Sequence, residues 1–258
     1  MTNDTKRAEG AMLATFTAIV CHGDPPLDCK REDVRIGMPV QVESLYELEL
    51  RLFGIHGQIP SLFLQRHFYV ADHVQWWESF VALTYCSHFV APWAIVGTLY
   101  VRNRDRWAQF ARRMLTISFA ALVTYFLVPA APPWYAGRVG LTDHIERIST
   151  RGWGALHIPI AGQLVSLGQG VVNQVAAIPS LHAGTAFTIA MFFWPRANRW
   201  MRALFIVYPA VMVFALVYGG EHYVVDCSLG VLYAVLVEWG SRMWERRRAK
   251  PIPSVATG

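Results

Sequence analysis

Five apolar runs, separated by arginine clusters on one side and by glycine and proline turns on the other, constrain this chain more than any other feature. They are Ser79 to Val101, Met114 to Trp134, Leu181 to Trp194, Ala203 to Gly219 and Tyr223 to Trp244. A helix needs about 20 mostly apolar residues to cross the hydrocarbon of a bilayer. The third run alone falls well short, unless it begins inside the Pro-Ser-Leu-His turn before it. Only 16% of the 258 residues are charged and 54% are hydrophobic, too few charges to solvate the surface of an ordinary soluble domain of this size. The expected fold is all-α: a multi-pass transmembrane helix bundle of about five to six spans, with an extracytoplasmic loop over the functional site.

The basic residues choose sides. Arg102, Arg104, Arg106, Arg112 and Arg113 fill one connection, Arg196, Arg199 and Arg202 another, and Arg242, Arg246, Arg247, Arg248 and Lys250 the tail. The positive-inside rule makes these three regions cytoplasmic, so the long connection from Tyr135 to Pro179 and the turn at Gly219-Gly220 lie outside. The net charge of +5 sits in these clusters, where it favours anionic headgroups and gives no sign of a nucleic-acid partner. Segments around Leu45 to Gly54 and Ile59 to Tyr69 mix apolar and polar residues as interfacial amphipathic helices do. The division expected is an N-terminal segment 1–44, a remnant span or interfacial, then a membrane domain 45–244 and a basic cytoplasmic tail 245–258. Ala11 to Cys21 is short for a span and ends without a convincing cleavage site. Cys21 and Cys29 are read either as a bridge in an oxidising compartment or as free thiols.

Two short motifs carry the chemistry. The first is Ile178-Pro179-Ser180-Leu181-His182-Ala183-Gly184; the second is Gly219-Gly220-Glu221-His222-Tyr223-Val224-Val225-Asp226. His222 and Asp226 are four apart and share a helical face, so the carboxylate can orient the imidazole and stabilise positive charge that develops on it. Ser180 suits an N-cap, which puts His182 in the first helical turn, placed to protonate a leaving oxygen. Both helix starts are expected to offer unpaired amides to a bound phosphoryl group.

Pro-Ser-x-His followed by His-x-x-x-Asp on a later span resembles the type-2 phosphatidic acid phosphatase superfamily. His-Tyr-x-x-Asp together with Pro-Ser-Leu-His-Ala is similar to its inositol phosphorylceramide synthase-like branch, as are Leu127 to Trp134, Leu52-Phe53-Gly54 and Tyr85 to Phe89. The resemblance implies a phosphatase or phosphotransferase acting on a lipid phosphate or phosphodiester at the extracytoplasmic face of the cell membrane through a phospho-histidine. Inositol phosphotransfer is the specific expectation. His222 is then the nucleophile, Asp226 its partner and His182 the acid, with Ser180 and Tyr223 at the substrate and membrane lipids around it. The acceptor is water or a hydroxyl such as that of the polyol inositol, held by polar groups such as Asp143, His144, Glu146 or Asn173. The superfamily's Lys, Arg-Pro and Ser-Arg elements are missing, with Ala215-Leu216 at the last of these, so Arg138, Arg147 and Arg151 are the cations available to a phosphate.

Competing readings are a non-catalytic lipid-phosphate binding or translocating protein, and a zinc site. The second is disfavoured because neither motif offers a further His or Cys, so no metal and no cofactor are expected. His88, in mid-span, is expected either to bond a neighbouring helix or to handle substrate. Glu238 and Arg242 read as an interfacial ion pair.

Overall fold

A computed structural model describes residues 39–171 and 175–248. The Ala11 to Cys21 run, Cys21, Cys29, Asn173 and the tail beyond Arg248 lie outside the described residues. Ten helices follow in order: α1 Glu43–Phe53, α2 Pro60–Phe68, α3 Glu78–Arg102, α4 Arg104–Leu127, α5 Pro133–Arg138, α6 Gly152–Ala155, α7 Pro159–Val171, α8 Leu181–Phe193, α9 Arg199–Tyr218 and α10 Val224–Arg248. Among the described residues no strand forms. The structure is a helical membrane bundle in which α3, α4, α9 and α10 are long and apolar enough to cross a bilayer.

The third apolar run forms no full span. At 13 residues, α8 is about 20 Å long, and it sits in the middle of the bundle against α10, α9, α4 and α3. Residues from Ala183 to Ala190 are buried with little break, and Phe192 joins a cluster with Phe110, Leu99 and Ile189. A helix that is apolar all round is expected to be buried in this way. It is also why so short a run is stable: longer neighbours shield its ends. One consequence is depth. His182 at the start of α8 lies ring to ring with His88, which is ten residues into α3, about 15 Å along that helix.

Close approach of α8 to α10 is made by two glycines. A Cβ on Gly230 would stand 2.2 Å from the Ser180 carbonyl oxygen, and one on Gly184 would stand 3.1 Å from the Gly230 carbonyl oxygen. Nearer the site, the Ser180 N–H donates to the Asp226 carbonyl at 2.9 Å. The two sequence motifs are thus joined through backbone.

Both ends of the second span differ from expectation. The second span, read as Met114 to Trp134, starts at Arg104, because the Asn103 side chain caps it by accepting the Arg106 N–H at 3.0 Å and the arginine-bearing turns continue the helix. It stops at Leu127 because Pro129 drives Val128 out of the helical region, to φ −136° and ψ 72°. Trp134 then belongs to α5, which Pro133 begins. The connection from Tyr135 to Pro179, read as loop, holds the rest of α5 together with α6 and α7. It is tied down over the α9–α10 turn: Trp134 N–H donates to the Gly220 carbonyl at 3.1 Å and Ile148 N–H to the Gly219 carbonyl at 3.3 Å.

The opposite end is basic. Glu238 and Arg242 pair at 2.5 Å as expected, and they share the pairing with Arg113, which is buried and reaches Glu238 at 2.6 Å and Glu245 at 2.7 Å.

Candidate active site

The turn between α9 and α10 places the second histidine. Gly220 takes φ +71°, a left-handed value that glycine adopts without penalty, and a Cβ there would meet Ile145 at 2.8 Å. The chain folds back so that Glu221 and His222 both donate their N–H to the Leu216 carbonyl, at 3.0 and 3.3 Å. His222 is left 7% exposed, with a fully buried Asp226 behind it. Nδ1 of His222 stands 3.5 Å from Asp226 Oδ2. That is longer than a good hydrogen bond, yet close enough for the carboxylate to hold the ring electrostatically. Nε2 is then the nitrogen on the far side of the ring.

The first motif folds as its sequence indicates. Ser180 caps α8, its Oγ accepting the Ala183 N–H at 3.3 Å, and His182 occupies the first turn. Tyr85 stacks on the His182 ring at 4.8 Å, His88 lies 3.9 Å away and Phe89 presents an edge at 5.5 Å. The His182 and His222 rings are 5.7 Å apart between centroids. His182 Nε2, His222 Nδ1 and Asp226 Oδ1 are all buried without a hydrogen-bond partner. Buried polar atoms are almost always paired, so His182 Nε2, unpartnered beside the His222 ring, marks a place for a polar ligand, whereas His222 Nδ1 is turned to Asp226 on the other side of its ring.

His88 does bond a neighbouring helix. Its Nδ1 meets Thr185 Oγ1 at 2.8 Å, while the Thr185 hydroxyl donates to the His182 carbonyl at 3.1 Å. With that hydroxyl proton committed, His88 Nδ1 is the donor and its Nε2 carries the lone pair.

Glu221 sits at the centre of a polar network. It is buried and accepts from Arg147 at 3.2 and 2.9 Å, from Ser149 Oγ at 2.6 Å and from Gln169 Nε2 at 3.0 Å; Gln169 also reaches the Tyr85 hydroxyl at 3.0 Å. This chain of contacts runs from beside His222 to the ring stacked on His182. Sequence reasoning singled out neither Ser149, Gln169 nor Tyr85 in that role. No local spacing signals it, because the partners come from three separate segments.

The remaining candidates are placed as follows. Tyr223 is buried, its N–H donating to Asp226 Oδ2 at 2.9 Å and its hydroxyl without a partner. Arg151 donates to the Val70 and Ala71 carbonyls at 2.6 and 2.8 Å, lies 3.7 Å from Glu78 and covers the Tyr69 ring. Arg138 ends α5 and is exposed. Arg147 is the cation whose partner adjoins His222. Asp143 pairs with Arg66, and His144 with Glu146 at 3.1 Å, on the surface. Among the described residues no three His, Cys, Asp or Glu are grouped to hold a metal ion. A surface groove of about 670 Å³ between α6 and α7, lined by Trp153, Gly162 and Ser166, includes neither histidine; the orphaned atoms locate the chemistry better than the concavity does.

One expectation is overturned. The start of α10 does not offer free amides to a phosphoryl group. Tyr223 N–H is taken by Asp226, and the Val224 and Val225 N–H groups are taken by the Glu49 carboxylate at 2.9 Å each. A glutamate from α1, far away in sequence, occupies the place expected for the ligand.

The family model of the PAP2 superfamily matches residues 58–240, which takes in both histidine motifs. Among curated proteins, the chain is 29% identical over 207 residues to phosphoinositol dihydroceramide synthase of Bacteroides thetaiotaomicron, an alignment covering 77% of this chain and 66% of that protein. It is 25% identical over 202 residues to the inositol phosphorylceramide synthase catalytic subunit of Schizosaccharomyces pombe, covering 77% of this chain and 46% of that one. The chain thus spans just under two thirds of the first relative and less than half of the second. No solved structure matches.

Proposed function

Because this chain belongs to the PAP2 superfamily, we propose that it is a membrane-embedded lipid phosphotransferase working through a phosphorylated His222. The observation that carries the reading is the pair of imidazole rings 5.7 Å apart, one of them backed by a buried aspartate. His222 Nε2 attacks phosphorus, the bond from phosphorus to the departing lipid oxygen breaks, and His182 Nε2 gives that oxygen its proton. Asp226 stabilises the positive charge left on the phosphorylated ring. In the second half the acceptor hydroxyl gives its proton to His182, its oxygen attacks phosphorus, and the phosphorus–nitrogen bond breaks.

The relatives are named for products that join phosphoinositol to a ceramide-type lipid. On that basis the group moved here is a phosphoinositol, from an inositol phospholipid to a lipid hydroxyl. Arg147 is the cation best placed to meet the phosphate, by exchanging Glu221 for it, with Arg138 and Arg151 further out on the same connection. Segment 45–244 is the catalytic membrane domain and 245–258 a cytoplasmic tail. The arginine-poor end of the bundle then faces out of the cell membrane, and the site with it.

The purified protein is tested with labelled phosphatidylinositol, with and without a ceramide, beside His222→Ala and His182→Ala. Both variants are expected to lose at least about 10³-fold in turnover, as removal of a nucleophile or its acid does, while staying folded in detergent. Transfer of label to ceramide supports the reading, and release of inositol phosphate to water makes the protein a hydrolase. Lipid binding unchanged in both variants with no turnover by wild type would refute catalysis.

A further inference from the structure

The Glu49 side chain is wholly buried, and the residue lies outside the segment matched by the family model. Its two oxygens reach across 175 and 176 positions of sequence to the first turn of α10, Oε1 accepting the Val224 N–H and Oε2 the Val225 N–H. The amide before them belongs to Tyr223 and donates to Asp226 Oδ2, the same oxygen that faces His222 Nδ1. A helix start leaves its first amides without intrahelical acceptors. Here three successive amides are filled by two carboxylates, one local and one delivered by another element. From this geometry we infer that Glu49 is a positioning residue for the proposed nucleophile: by fixing the first turn of α10 it fixes Asp226 against His222.

The effect extends to the other histidine. The Asp226 carbonyl accepts the Ser180 N–H, so the turn that Glu49 holds also sets where α8 begins and where His182 stands. Glu49 also places its own negative charge at the positive end of α10. An incoming phosphoryl group is therefore not drawn onto the amides of the nucleophile's helix, where it would sit beside the imidazole rather than in line with it. Residues that hold reacting groups in register act on the rate of the chemical step more than on binding, since a misplacement of 1 Å costs about 10²-fold.

The inference rests on the phospho-histidine reading above, and the experiment separates the two. Wild type, Glu49→Gln, Glu49→Ala and His222→Ala are compared in vesicles carrying labelled phosphatidylinositol, by rapid quench for acid-labile phospho-histidine, by steady-state kcat and KM, and by thermal midpoint. Glu49→Gln keeps the shape and one acceptor oxygen but turns an NH2 toward a donor amide; its labelling rate and kcat are expected to fall about 10-fold at unchanged KM, and those of Glu49→Ala about 100-fold. Glutamine labelling at the wild-type rate overturns the inference, as does an effect confined to KM. A loss of kcat that disappears when the variant is assayed far below its thermal midpoint overturns it too, since a merely structural role would behave in that way. A wild type that never labels defeats the catalytic reading and this inference together, whereas a labelling wild type with indifferent Glu49 variants defeats this one alone.

Discussion

Burial pushes the Glu49 carboxyl up to about 7 from an ordinary value of 4.5; the Val225 and Val224 amides oppose the rise and the neighbouring Asp226 charge adds to it. The sign of the consequence for stability follows from linkage. Below about 4.5 the group is protonated in folded and unfolded chains alike, and its burial carries no charge penalty. As pH rises through about 7 the buried group ionises, and that part of the stability is lost. The ionised form is nevertheless the one that satisfies both amides of α10, so the site gains order where the fold gives up stability, a common trade at functional sites. Tyr223, Cys227 and Asp226 on the α10 side and Tyr46 on its own helix are the titratable neighbours. The thermal midpoint of wild type relative to Glu49→Gln is expected to fall between pH 4.5 and 7 and to level off above. A difference that stays constant across that window would show that Glu49 titrates in the folded protein as it does in the unfolded chain.

Elements meet where side chains are smallest, and the Gly230 contact is the clearest case. Any Cβ there stands 2.2 Å from the Ser180 carbonyl, so α8 and α10 must separate at the level of both motifs. Gly230→Ala is expected to cost about 1 to 3 kcal/mol, the usual range for overpacking, and to reduce turnover further than the loss of stability explains. Paired melting and turnover measurements check this, and equal losses in both would mean that the contact only holds the fold. What was legible in the sequence follows the same division between near and far. The spans, the Ser180 cap and the His222–Asp226 pairing were readable because each depends on run length or on a spacing of a few residues. The end of α4 was readable in principle, since Pro129 forces it, but the apolar run continued through to Trp134 and hid it. Glu49 on α10, and Glu221 with Arg147, Ser149 and Gln169, join segments that only the packed bundle brings together, so no pattern in the chain announces them. The depth of α8 was half readable: the run is visibly short, but only its neighbours show that it starts low.

For the whole molecule, the separation of a basic end from the histidine end predicts an orientation that labelling can check. A cysteine placed at exposed Arg104 is expected to react with an impermeant thiol reagent only after the membrane is opened from the cytoplasmic side, and one at exposed His144 in intact cells. The reverse pattern would put the chemistry inside. The depth of His182 along α3 has a further meaning for kinetics. In the proposed reaction, a phosphodiester met about 15 Å along α3 is delivered by a lipid moving sideways through its own leaflet, and so is an acceptor lipid. The concentration that governs turnover is therefore a surface density. Diluting both lipids with an inert phospholipid slows the reaction at constant bulk amount, whereas adding buffer around unchanged vesicles does not.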